Sequence, residues 1–224
     1  RLLSWLYRWG LRTLCLAGIV LYLSTCFYMI GPREEGLLLR FGTIAGEGKP
    51  VEPGLHVKLP SPVDRVVKFE TETVRDLFVG NATQRDVAMI WSKEHGDNQT
   101  FISADNNLFL PYVVVHYRIK NVYDYFLYHR NETPEKLLGS LAYRLLTRMF
   151  VSTSFYDLIL DGRNHWVTQC KEELQREIDS LRTGIEITEV CLKDLHPPIS
   201  LAGAYEEVVA ARQLHEKSLN DAQR

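Results

Sequence analysis

The 224-residue sequence predicts an α+β protein with an N-terminal transmembrane helix, a mixed domain of strands and helices, and the start of a long assembly helix. Three observations predict this fold class. An uncharged run lies near the N-terminus, strand-like segments with turn residues between them follow, and segments with apolar residues at helical spacing dominate the second half. Hydrophobic residues make up 46% of the chain, which is enough for a packed core.

The N-terminal segment, residues 1–32, differs from the rest in charge. Arg1, Arg8 and Arg12 are its only charged residues, so it carries +3, while the remaining 192 residues carry 23 basic against 28 acidic side chains, or −5. A mildly acidic chain lacks the concentrated positive charge that binds phosphate backbones, and we expect no nucleic-acid partner.

Residues 13–32 form an uncharged run of 20 residues. A helix of that length rises about 30 Å, the thickness of the hydrocarbon core of a bilayer. The three preceding arginines predict a cytoplasmic N-terminus, with the bulk of the protein across the membrane. A cleaved signal peptide and a buried core helix are the alternatives, and the run is long for either. The side chains expected to contact lipid are Leu14, Leu16, Ile19, Leu21, Leu23, Phe27 and Tyr28.

The next segment, residues 33–104, is predicted to be a strand-rich first subdomain. Apolar and β-branched residues form strand-like runs at 36–44, 55–59 and 63–73, separated by Gly- and Pro-containing loops. A hairpin is expected around the turn at 105–107. Its second arm alternates apolar and polar residues from Val113 to Ile119, as a half-buried strand does.

A second α+β subdomain is predicted for residues 105–196. Thr133, Pro134 and Glu135 form a typical helix start, and leucines recur at helical spacing after them. Another helix begins near Asn164 and stops before Gly184, a suitable C-cap residue. The final strand changes its apolar phase between residues 187 and 190, which predicts a bulge.

The last segment, residues 197–224, is predicted to open a long exposed helix after two prolines. Its apolar residues thin into a narrow seam among frequent charges, and such a seam needs a partner, as in a coiled coil. The chain also lacks an initiator Met, and we expect it to be part of a longer protein. The side chains expected at the oligomer interface are Leu201, Tyr205, Val208, Val209 and Leu219.

No sequence motif points to catalysis, to a cofactor or to a metal. The run GTIAGEGKP resembles a phosphate-binding loop but has Thr43 in place of its first Gly, and Pro50 where a hydroxyl residue would bind magnesium. No C-x-x-C is present, so Cys170 and Cys191 are predicted to be buried thiols or, in an oxidising compartment, one disulfide. We therefore predict no catalytic, cofactor-binding or metal residues; a membrane-bound hydrolase using Ser, His or Cys is the weaker alternative.

The order of motifs resembles the SPFH (band 7) superfamily of stomatins, prohibitins and flotillins, and within it the HflK branch of bacterial protease modulators. The specific pieces are E-x-G-x-x-x-R-F-G at 34–42, P-G-L-H at 53–56 and S-x-D-N at 103–106. Pro-Pro at 197–198, followed by an Ala/Arg/Glu helix, favours HflK over stomatin. The segment 85–99 is longer than the family's usual connection.

The resemblance implies a non-enzymatic scaffold of the bacterial inner membrane. HflK-like proteins assemble with HflC-like partners into large cages that restrict access to the AAA protease FtsH; the alternative is a stomatin- or flotillin-like organiser of membrane microdomains without a protease. The family also implies a first subdomain lying on the membrane. Residues 37–41 and 55–59 are accordingly expected either to contact the outer leaflet or to pack as core strands.

Overall fold

The structure, a computed structural model, describes residues 2–79, 100–129, 133–159, 162–198 and 201–222. The first part of the chain contains α1 (Leu2–Ser24), β1 (Phe27–Ile30), β2 (Glu34–Arg40), β3 (Thr43–Ile44), β4 (Gly54–Val57), β5 (Asp64–Glu70), β6 (Arg75–Val79), β7 (Phe101–Ile102) and β8 (Leu108–Ile119). The remainder contains α2 (Val122–Tyr128), α3 (Pro134–Val151), α4 (Phe155–Ile159), α5 (Arg163–Ser180), β9 (Ile185–His196) and α6 (Ala202–Ala222). These elements confirm the predicted mixture of strands and helices; the long segment 85–99 lies outside the described residues.

The elements form two compact units. The first comprises residues 1–74, 118–130 and 182–185, and the second comprises residues 75–117, 131–181 and 186–224. The strand β6 belongs to the second unit because it pairs antiparallel with β8, with Arg75 opposite Tyr117. The pairing partner of a strand depends on residues far along the chain. The local pattern of residues 75–79 therefore does not indicate which strand they pair with.

The N-terminal helix is shorter at its C-terminal end than predicted. α1 ends at Ser24, and the N–H groups of Thr25 and Cys26 close it by donating to the carbonyls of Tyr22 and Leu23. Residues 27–30 then form β1. The prediction of one helix through residue 32 is therefore wrong, because an apolar run fits a helix or a strand equally well and the pairing partner of β1 lies in a later segment.

In the first unit, β2 is the centre of a three-stranded sheet with the order β3-β2-β5, and β1 pairs separately with β4. α2 packs on β2. The resulting core combines strand and helix residues; its buried members are Leu37, Leu39, Ile119 and Val122, with Ile44, Val67, Phe69, Tyr125 and Phe126 packed around them.

Gly184 fixes the start of α2 in the first unit. Its carbonyl accepts the N–H groups of Lys120 and Asn121, and its φ is +72°. A Cβ at this position would lie 2.3 Å from the carbonyl oxygen of Asn121 and 2.4 Å from the amide nitrogen of Tyr125, so only glycine fits. The predicted role as helix C-cap falls instead to Leu181.

The second unit is built on a sheet in which β8 pairs with β6, β7 and β9. α3 and α5 pack against each other, and Pro134 occupies the first turn of α3 as predicted. In β9, Ile187 and Val190 are buried whereas the two residues between them are exposed, so the predicted change of phase is confirmed. The largest buried side chains of this core include Phe109, Val113, Tyr117, Leu138, Leu145, Phe150, Leu174 and Ile178.

Candidate membrane and assembly surfaces

Five apolar side chains predicted to contact lipid project from α1 into solvent. They are Leu14, Leu16, Ile19, Leu21 and Leu23, with exposed fractions between 53% and 70%. Across the described ranges, no helix combines the length and the mean hydropathy that crossing a bilayer requires. The structure thus places these side chains on an open surface, and it does not confirm the predicted transmembrane helix.

A second apolar surface of the first unit lies on the two-stranded ribbon of β1 and β4. Phe27 is opposite Val57 and Met29 is opposite Leu55, so the four side chains project from one face of the ribbon. All four are 61% to 70% exposed. We call this set the apolar ribbon face. A contiguous exposed apolar surface of this kind is typical of a contact with a membrane or with another protein.

The strand residues for which the sequence left two alternatives open differ in burial. Leu37 and Leu39 are buried in the core, whereas Phe41 and Leu55 are exposed by 77% and 70%. Among the predicted lipid contacts, Phe27 belongs to the apolar ribbon face. Tyr28 alternates to the other face, where its ring centroid lies 5.6 Å from that of His56.

Asp64 holds the loop that follows the apolar ribbon face. Its carboxylate accepts hydrogen bonds from Arg40, at 2.9 and 3.2 Å, and from the N–H of Leu59 at 3.0 Å. Lys58 donates its N–H to the carbonyl of Cys26 and its Nζ to the carbonyl of Asp64. The hydrogen bonds from Arg40 lower the pKa of Asp64, so the carboxylate stays ionised at neutral pH and ties β4 to β5.

In the second unit, Asp105 connects the turn before β8 with the start of α4. It accepts hydrogen bonds from the hydroxyl of Ser103, the hydroxyl of Ser154 at 3.0 Å and the N–H of Phe155 at 3.0 Å. Burial alone would raise the pKa of Asp105, but these hydrogen bonds outweigh it and lower the pKa to about 2. The S-x-D-N motif is thus a structural clamp on the beginning of a helix.

We expect this clamp to make stability depend on acid pH. Because the pKa of Asp105 falls from 3.8 to about 2 on folding, its contribution is complete above pH 4 to 5 and is lost as the pH falls toward 2. Asp105→Asn should lower the free energy of unfolding by about 1 kcal/mol at pH 7, after allowing for the exposure of the site. Urea unfolding at several pH values checks this, with Asp179→Asn, an exposed carboxylate of α5, as the control; a loss for Asp105→Asn that is equally large at pH 2 would contradict it.

The C-terminal helix α6 carries the candidate assembly surface. Val208, Val209 and Leu219, all predicted interface residues, are about half exposed, and Leu214, which the sequence analysis missed, is 65% exposed. Leu201 is partly buried; the side chain of Tyr205 lies outside the described part of the structure. Leu201, Val208 and Val209 also line a groove of about 420 Å³ with Asn106, Leu108 and Tyr156.

The thiols of the second unit are not activated nucleophiles. Cys170 is buried, and burial raises its pKa to about 12. Burial also raises the pKa of Cys191, and the nearby carboxylate of Glu189 raises it further. Both thiols are free in the structure. A reactive cysteine needs a lowered pKa, so this chemistry does not favour the hydrolase alternative.

The chain thus folds into two compact units of strands and helices, and apolar side chains are exposed on α1, on the apolar ribbon face and on α6. Residues 28–224 match the SPFH domain / Band 7 family, and the chain belongs to that family. Within it, the chain is similar to proteins named HflK.

Three of these relatives come from different bacteria. The chain is 24% identical over 216 residues to Protein HflK of Borreliella burgdorferi, covering 95% of the chain and 66% of that protein. It is 27% identical over 215 residues to Protein HflK of Vibrio cholerae, covering 96% of the chain and 48% of that protein. It is 24% identical over 207 residues to the Modulator of FtsH protease HflK of Escherichia coli, covering 92% of the chain and 44% of that protein. The chain thus spans about half to two thirds of the length of these relatives.

Proposed function

We propose that the protein is a membrane-anchored SPFH scaffold similar to HflK. The observation that carries the proposal is that one unit exposes both the apolar side chains of α1 and the apolar ribbon face. Contact with a bilayer buries both surfaces, at a gain of about 2 kcal/mol for each large side chain removed from water. The arginines before the apolar run favour a cytoplasmic N-terminus, with the SPFH domain on the periplasmic side of the inner membrane of a bacterium.

The scaffold assembles through α6. Val208, Val209, Leu214 and Leu219 are exposed along this helix among charged residues, an arrangement that a neighbouring helix would bury. Contacts between copies, or with an HflC-like subunit, that repeat head to tail close into a ring or cage when the rotation between subunits closes.

The mechanism is steric. A ring or cage on the membrane surrounds a membrane AAA protease of the FtsH type and limits which membrane proteins reach it. The relative from Escherichia coli is a modulator of FtsH protease, which supports this choice of partner. The chain itself acts without covalent chemistry, in keeping with the raised pKa values of Cys170 and Cys191.

A second candidate is an organiser of membrane microdomains that has no protease partner, as in stomatin- or flotillin-like proteins. The apolar ribbon face also fits this candidate, because both functions need contact with lipid. The two candidates differ in what remains bound to the assembly after mild solubilisation.

Gentle detergent extraction of the full-length protein, followed by affinity purification, separates these candidates. We expect large ring or cage particles in electron micrographs and an AAA protease in the purified fraction. Specific lipids without a protease would support the microdomain organiser instead. A strictly monomeric profile, without particles, would contradict both.

A further inference from the structure

One face of the β8 sheet in the second unit brings together side chains with metal-binding atoms from separate strands. His116 lies on β8, and Glu189 and Cys191 lie two residues apart on β9. One ligand atom from each of the three lies within 4.8 Å of the other two. We call these residues the donor cluster. Asp76 on β6 is directly opposite His116 in the antiparallel pair and extends the group.

Asp76 orients the imidazole of the donor cluster. Nδ1 of His116 is 2.6 Å from Oδ1 of Asp76, so the neutral ring that donates from Nδ1 keeps the lone pair on Nε2. A carboxylate that accepts the second ring N–H fixes the tautomer and increases the basicity of a metal-binding histidine, and this arrangement recurs around zinc in proteins.

The order Asp76, His116, Cys191 also resembles a nucleophilic triad, but a triad needs no further carboxylate beside the thiol and the imidazole. In the donor cluster, a carboxylate oxygen of Glu189 lies within 4.8 Å of the ligand atoms of both His116 and Cys191. A divalent cation would offset the negative charges of a thiolate and of this carboxylate. The geometry of the three residues therefore suits a metal better than covalent catalysis.

We propose that His116, Glu189 and Cys191 bind one zinc ion, with Asp76 positioning His116 and a water molecule completing a tetrahedral site. Nitrogen, carboxylate oxygen and thiolate sulfur are the ligands that zinc uses, at about 2.0 to 2.3 Å. Ligand atoms around such an ion are about 3 to 4 Å apart, so small side-chain movements bring the donor cluster to this geometry. His116 and Cys191 are half-buried and Glu189 is exposed, so the site is accessible to metal from solvent.

Cobalt titration of the chelator-treated full-length protein tests the proposal. We expect one Co²⁺ per chain, with a thiolate-to-cobalt absorption band in the near ultraviolet that zinc abolishes by displacement. Cys191→Ser should remove the band, whereas the control Cys26→Ser, the same change at a half-buried thiol of the first unit, should retain it. Asp76→Asn should retain the band but weaken cobalt binding by about 10- to 100-fold.

A second measurement on the unmodified chain does not depend on any variant folding. Zinc at saturating concentration should slow alkylation of Cys191 by iodoacetamide at least tenfold, as measured by mass spectrometry of the Cys191 peptide. The absence of a thiolate band, a band that persists in Cys191→Ser, or fast alkylation of Cys191 that zinc does not change would each overturn the proposal. The last of these would point to a reactive thiol instead.

Discussion

Replacing Leu16 and Leu21 of α1 with aspartate is expected to release the protein from lipid vesicles, with a partition coefficient lower by about a thousandfold. The two side chains are 66% and 70% exposed, and each contributes about 2 kcal/mol when a bilayer buries it. Together they account for about 4 kcal/mol, which is roughly three orders of magnitude in binding. Vesicle flotation at constant ionic strength measures the effect.

The matched control places the same substitutions on another exposed helix. Leu214→Asp with Leu219→Asp removes two leucines of α6 that are 65% and 50% exposed, and at dilutions where the unmodified protein is unassembled it should leave vesicle binding unchanged. A third variant, Leu55→Asp with Val57→Asp, tests the apolar ribbon face and should weaken binding while α1 is intact. If the α1 variant floats with vesicles as the unmodified protein does, α1 is not part of the membrane anchor.

Ending the chain after Pro198 is expected to abolish the large particle while leaving the rest of the protein folded. The removed segment contains α6, whose apolar side chains are largely exposed, so its loss takes little from the two cores. Light scattering coupled to size-exclusion chromatography should show small species in place of the ring or cage. Circular dichroism should show the remaining helices and strands unfolding cooperatively.

Point substitutions test whether assembly depends on the apolar side chains of α6 or only on the presence of the helix. Val208→Asp with Val209→Asp places two charges on side chains that are about half exposed and should also prevent assembly. Gln213→Asp, an exposed polar position on the same helix, adds a charge without removing apolar surface and should assemble normally. A truncated chain that still forms the full-size particle would show that α6 is not the main contact.

Local signals predicted the helices of the second unit well. Thr133 and Pro134 mark the start of α3 in the sequence and in the structure. Proline is tolerated there because the first N–H groups of a helix have no carbonyl acceptor within the helix. Cys170, Leu174 and Ile178 recur at helical spacing in the sequence of α5, and all three are buried on one face of the helix. The start of a helix and its buried face depend on residues a few positions apart, so the sequence displays them directly.

Local sequence signals did not predict which strands pair with each other. The uncharged run through residue 32 predicted one helix, but its last part becomes β1 because Gly54–Val57 supplies a partner strand. Leu37 and Leu55 both lie in apolar strand-like runs, yet one is buried and the other is 70% exposed. The difference lies in what covers each face of a strand, and that is decided by elements such as α2 that are distant in sequence.

The sequence by itself determined the SPFH family, the mixed α and β content, the positions of α3 and α5 and the apolar character of α1 and α6. Only the tertiary structure decided which apolar side chains form the apolar ribbon face and that the donor cluster exists. His116 and Cys191 are 75 positions apart and match no metal motif, so their spacing gave no sign of a site. Their approach results from the pairing of β8 with β9, a long-range contact whose register no local pattern specifies.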